Sequence, residues 1–203
     1  MPNWCMNTLG VSGPENDIRM FRLAAEGPTQ SYNEFQGTTG KWPVHDAIRL
    51  KSIAQTPPES GESTIFSFHA LFPVPEEFRR FPYDCRRAKE IGELVGEERP
   101  YGGYSWENAN WGCKWGASSP DLQAEEPRFL QYSFDTPWGP PEPFLQKISE
   151  DWPALSFELD YEEPGMDFAG TLVCEEGQIV SHEERSCESE DDYDDDYLEE
   201  DEE

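Results

Sequence analysis

Lys114, Asp135 and Glu163 are the residues whose types and settings suit bond-making chemistry. Each lies beside a turn signal, where the ends of elements present side chains. Two carboxylates such as Asp135 and Glu163 do acid–base work when burial or mutual repulsion splits their pKa values. A lysine such as Lys114 holds an oxyanion or a phosphate. Trp111, Trp115 and Trp138, with Met166, would wall the pocket. The same residues have a plainer reading. Tryptophans beside Pro-Gly turns pack small cores, and Asp135 and Asn110 can bond local backbone. The sequence leaves cleft and packed turn both open.

Other chemistries find less support. The chain has no nucleophile elbow, no phosphate loop, no dinucleotide fingerprint, no H-E-x-x-H and no EF-hand loop. His45, His69 and His182 are far apart. Cys5, Cys85, Cys113, Cys174 and Cys187 are odd in number and none is paired as Cys-x-x-Cys. Reduced thiols in a cytoplasmic protein are the expectation, with no metal and no cofactor. No run approaches 18 apolar residues, so no membrane span is expected.

The elements that position these residues follow from periodicity. Thr8, Leu9 and Val11 suit a strand, closed by Ser12-Gly13-Pro14. Ile18, Phe21 and Ala25 then recur at helical spacing. Residues 28–63 are polar and broken by glycine and proline, and read as an insertion holding one short helix, Val44 to Ile53. Phe66, Phe68, Ala70 and Phe72 share one parity, which predicts a strand over 64–72. Asp84 to Val95 reads as a helix, and residues 99–119 as irregular. Leu130, Tyr132 and Phe134 mark a strand over 128–135. Phe144, Ile148 and Trp152 line a helix over 141–152. Leu155, Phe157, Leu159 and Tyr161 alternate with polar residues, residues 167–174 run back, and Gln178 to Val180 closes a hairpin. The order predicts an α+β, ferredoxin-like split β-α-β core over residues 1–182, with an antiparallel sheet and helices on one face.

Four strings stand in this frame: Met1-Pro2-Asn3-Trp4-Cys5, Asn110-Trp111-Gly112-Cys113-Lys114-Trp115, Phe134-Asp135-Thr136-Pro137-Trp138-Gly139-Pro140-Pro141, and Glu163-Pro164-Gly165-Met166-Asp167-Phe168-Ala169-Gly170. Together they resemble the YubB-like family of plasmid- and phage-borne proteins, over roughly residues 1–180 without the insertion. The resemblance implies a ferredoxin-like domain and a mobile-element context, and names no reaction. Cys113 and Gly116, and Pro137-Trp138-Gly139, depart from the pattern of that family. The strings also predict that Trp4, Trp111, Trp115, Trp138 and Met166 lie near one another around one end or face of the sheet.

Charge points to a partner. The formal net charge is −28 over 203 residues. Residues 183–203 carry 14 acids and one base and read as a disordered acidic tail. Asp191, Asp192, Tyr193, Asp194, Asp195, Asp196 and Tyr197 offer dense charge with two aromatic rings, suited to a basic protein. Direct nucleic-acid binding is disfavoured, because it rests on a basic surface. Arg79, Arg80, Arg86, Arg87 and Lys89 form the one cationic cluster, on which the tail could also dock. The preferred reading is an accessory protein acting through an acidic surface and tail. The alternative is an enzyme or small-ligand binder around Lys114, Asp135 and Glu163.

Overall fold

The computed structural model describes residues 2–34, 51, 53–56, 58–97 and 102–187. Its centre is strand β1 (Trp4–Ser12), whose buried residues Cys5, Asn7, Leu9 and Val11 alternate with more exposed ones. Helix α1 (Glu15–Ala25) follows, with Pro14 at its start and Glu15 and Asp17 at its positive end. It buries Ile18, Phe21 and Ala25. The described residues between 27 and 117 then lie outside the main sheet. They hold the two-residue strands β2 (Gly27–Pro28) and β3 (Ser63–Thr64), and helices α2 (Phe68–Leu71), α3 (Glu76–Arg79), α4 (Cys85–Val95) and α5 (Gly103–Asn110).

The chain returns to the sheet with β4 (Ser118–Glu126) and β5 (Phe129–Pro137). Helix α6 (Glu142–Asp151) and strands β6 (Ser156–Glu163), β7 (Phe168–Glu175) and β8 (Gln178–Arg185) complete it. The six strands lie in the order β4-β5-β1-β6-β7-β8, and every pairing is antiparallel. The first four positions reproduce the ferredoxin-like core, and β7 and β8 widen it by two strands.

Alternation gives the sheet two unlike faces. On one, Leu130, Tyr132 and Phe134 of β5 join Leu9 and Val11 of β1, Phe157, Leu159 and Tyr161 of β6 and Leu172 and Cys174 of β7. α1 and α6 supply Ile18, Phe21, Phe144, Leu145 and Ile148 to the same core. Phe21 meets Phe157 edge-on at 5.5 Å and Trp152 at 5.4 Å. Phe66 and Phe68 come in from outside the sheet, Phe66 stacking on Tyr132 at 4.6 Å and Phe68 on Phe144 at 3.8 Å. The other face is open.

Several expectations are corrected. The segment 64–72 does not run as one strand. Ser67 breaks it: its hydroxyl accepts the Ala70 N–H at 3.1 Å and donates to Pro28 O at 2.6 Å, capping α2. Phe66 and Phe68 are buried by this bend rather than by strand parity. The second core strand is instead β4, inside and beyond the stretch read as irregular, which also contains α5. β8 runs on to Arg185, three residues into the acidic run. The helix expected over 44–53 lies outside the described residues for most of its length. The described ends of the insertion are docked: Gly27 and Pro28 pair with Thr64 and Ser63, and Asn33 Nδ2 donates to the carbonyls of Ile53, Thr56 and Arg80.

Candidate functional site

The open face is built from residues that register places directly across from one another. One row crosses all six strands: Asp121, Ser133, Thr8, Asp160, Thr171 and Glu183. The next holds Asp135, Met6, Glu162, Ala169 and Arg185. A third holds Gln131, Gly10, Glu158, Val173 and Ser181. These rows contain six carboxylates and one guanidinium. Glu158, Asp160 and Glu162 are exposed along β6, and two-residue steps set them about 6.6–6.8 Å apart. Thr171 donates to Asp160 Oδ1 at 2.6 Å, and Gln123 donates to Asp121 and Ser133.

Tryptophans bound this face at one end. Trp4 lies on the open face of β1, opposite Pro137. Its ring is 6.4 Å from that of Trp115. Lys114 Nζ stands 4.0 Å from the Trp115 ring centroid and 6.0 Å from that of Trp138. Trp4, Trp115 and Trp138 are 39%, 45% and 50% exposed. The turn after β6 closes in from the other side. A side chain at Gly165 would meet Asn3 Nδ2 at 2.7 Å, and Asn3 O accepts the Trp138 N–H at 3.0 Å. Met166, next in the chain, is exposed.

The rim is held by strained backbone. Trp115 and Trp138 have φ of 72° and 76°, a left-handed conformation that costs a bulky residue about 1–3 kcal/mol. Glu107 of α5 fixes the first: its Oε2 accepts the Trp115 N–H at 2.6 Å, and its Oε1 accepts the Tyr32 hydroxyl at 2.5 Å. Glu107 is fully buried, and that burial raises its carboxyl pKa above the ordinary value in spite of these donors. It feels Tyr83 as well, and it raises the pKa of both tyrosines, whose burial is the larger cause. The Thr136 hydroxyl donates to Gly139 O at 2.8 Å and accepts from Asn7 Nδ2 at 2.8 Å, closing the turn that carries Trp138.

The residues singled out by sequence separate into different places. Trp111 is fully buried; its Nε1 donates to Phe72 O at 3.0 Å, and its ring meets Phe68 and Trp106 edge-on. It belongs to the core and not to the exposed rim. Asp135 and Glu163 are not brought together. Asp135 shares the open face with Met6, whereas Glu163 continues the buried phase of Phe157, Leu159 and Tyr161 on the helix side. The sheet stands between the two carboxylates. Glu163 is 2% exposed, accepts the Gly165 N–H through Oε1 at 3.1 Å, and has no partner at Oε2 among the described residues. Desolvation raises the Asp135 pKa above its ordinary value. Lys114 closes no ion pair among the described residues. The constellation drawn for acid–base chemistry is therefore dispersed.

The cationic cluster is dispersed too. Arg79 is buried and donates to Ser31 O and Pro58 O, while Arg86 pairs with Glu90 at 3.3 Å. Residues 191–197 lie outside the described residues. Burial pushes the Cys5 thiol up to about 12 and the Cys174 thiol to about 11, and raises that of Cys113 as well. Among the described residues no group of three or more His, Cys, Asp and Glu is placed to hold a metal, and no helix is long and apolar enough to cross a membrane.

Sequence reasoning missed Glu107. It lies in a Gly-rich segment without apolar periodicity, and nothing in its spacing marks a buried acid.

Residues 111–203 match a family model described as the ferredoxin-like domain in Api92-like protein. No curated protein matches the chain. Its fold is similar to the crystal structure of the protein Api92 from Yersinia pseudotuberculosis, with a TM-score of 0.62 and 11% identity over 92% of this chain and 99% of that one. That likeness is one of overall fold, and it runs over nearly the whole chain.

Proposed function

We propose that the chain is an accessory protein of a mobile genetic element, and that it presents the open face of its sheet to a basic host protein as a nucleic-acid-like array of charge. The observation that carries this reading is the row Asp121, Ser133, Thr8, Asp160, Thr171 and Glu183, with acids again in the rows beside it. Ferredoxin-like sheets that stack bases set aromatic rings at the middle of the open face; here that position holds Thr8, Ser133 and Asp160. A face of this sign repels phosphate and attracts lysine- and arginine-rich surfaces. The acidic run that includes Asp191–Tyr197 follows β8, the last strand of the same sheet, and adds to its charge. The mobile-element context rests on the four strings that resemble the YubB-like family.

The test is capture of basic host proteins by the full chain, followed by elution with double-stranded DNA. The expected result is release by DNA and loss of capture in the triple variant Glu158→Gln, Asp160→Asn, Glu162→Gln. Deleting residues 188–203 should weaken capture at low salt without abolishing it. Unchanged capture by the triple variant, or proteins that DNA does not release, would overturn the reading.

A further inference from the structure

We infer that the tryptophan rim is a receptor for an arginine side chain of the partner, and that Lys114 occupies that receptor in the free protein. The inference rests on the charged-face reading above and adds to it the residue that anchors the contact.

Three observations converge. The rim already holds a cation by ring faces alone: Lys114 Nζ lies 4.0 Å from Trp115 and 6.0 Å from Trp138, and closes no ion pair among the described residues. Attraction of an ammonium to an indole face is established geometry for cation binding. The rings are exposed yet fixed. Trp115 and Trp138 keep left-handed backbone, held by hydrogen bonds to Glu107 and Asn3, so the rings are presented rather than packed away. Acids stand beside them. Asp135 and Glu162 flank Met6 in the row next to Trp4 and Pro137, and neither closes an ion pair among the described residues. Aromatic faces with adjoining free carboxylates complement a planar, weakly hydrated cation that stacks and forks at once. That cation is a guanidinium, and a compact, strongly hydrated ammonium gains less. Lys114 is the weaker occupant, tethered and displaceable.

The test uses the full chain and two synthetic probes, decaarginine and decalysine, which carry equal charge. Binding is measured by calorimetry at 0.15 M salt. The charged face attracts both peptides, and only the rim separates them. The expected result is a preference for decaarginine of about 3- to 10-fold. The Trp115→Ala, Trp138→Ala double variant should erase that preference while retaining decalysine binding. Both side chains are exposed, so the fold should persist, which circular dichroism verifies. Lys114→Met should widen the preference, because it empties the receptor. Equal affinities in the wild-type chain, a preference that survives loss of both tryptophans, or a preference narrowed by Lys114→Met would overturn the inference. If that happens while the triple neutral variant of β6 loses both peptides, the charged-face reading stands without it. If neither peptide binds the wild-type chain, both fall.

Discussion

Replacing Glu107 separates its two roles, as a hydrogen-bond acceptor and as a buried charge. Glu107→Leu leaves the Trp115 N–H and the Tyr32 hydroxyl without their acceptor. A buried donor stripped of its partner costs roughly 1–3 kcal/mol. Tyr32 is only half-buried and regains some water, so the loss should total about 2–4 kcal/mol. Glu107→Gln behaves differently. Its carbonyl still accepts the Trp115 N–H, and its amide can donate to the Tyr32 oxygen. The charge is gone, and here the charge opposes folding. Burial raises the folded carboxyl above its ordinary value of 4.5, so the folded chain holds the proton more tightly than the unfolded one. The stability this contributes is whole below pH 4.5. It is lost as pH rises from there through the folded value. Glu107→Gln never ionises, so its stability relative to wild type should improve as pH climbs through that window. Urea unfolding followed by tryptophan fluorescence, in steps from pH 4.5 to 8, reads both effects. If Glu107→Gln is as damaging as Glu107→Leu, or falls further below wild type as pH rises, the reasoning fails.

Trp111→Ala should cost about 3–5 kcal/mol, read from a denaturation midpoint, since it empties a fully buried site and strands Phe72 O. His69 is pushed down to about 4, first by burial and then by the Arg79 charge, and its Nδ1 accepts the Val74 N–H. Its ring resonances should stay those of neutral imidazole until the pH nears 4. Its share of stability is present above pH 6.5 and should fall by about 3 kcal/mol as pH drops from 6.5 to 4. Alkylation of the folded chain at pH 8, located by mass spectrometry, should spare Cys5, Cys113 and Cys174 and mark Cys85 and Cys187 first, because burial keeps the former three protonated and out of reach.

The sequence was most readable where one face of an element is buried and the other is wet. β5, α6 and β6 announce themselves because Leu130, Phe144 and Phe157 each begin a series in phase with a core. β4 lies at a sheet edge, carries Pro120 and two register shifts, and alternates only weakly, so SSPDLQAEE has no strand signature. β8 fails in the same way, exposed along nearly its whole length and ending in charges. Phe66 to Phe72 misled for the opposite reason, since the capped bend buries Phe66 and Phe68 together with Ser67 and His69 and leaves Ala70 and Phe72 half-buried. Within the candidate site, the separation of Asp135 from Glu163 was written in phase: Asp135 falls between Phe134 and Thr136, and Glu163 falls two after Tyr161. The gathering of Trp4, Trp115 and Trp138 followed from the turns that carry them. The departure of Trp111 into the core did not, because it depends on α5, which has no periodic signal.

The central place of β1 sets a timetable for synthesis. β1 leaves the ribosome well before both of its neighbours, β5 and β6: Ser12 waits for Phe129 on one side and Ser156 on the other. At ~5–20 residues per second, the roughly 150 residues to β6 take roughly 8–30 s. Until β5 emerges Leu9 and Val11 have no sheet to join, and α1 has its apolar stripe but no floor. The helices outside the sheet, with the small cluster of Ala54, Phe81, Ala88 and Ile91, can condense meanwhile. The sheet closes in one late step of high contact order. During that delay the nascent chain depends on its own negative charge, and on chaperones, to keep an unpaired strand from finding the wrong partner.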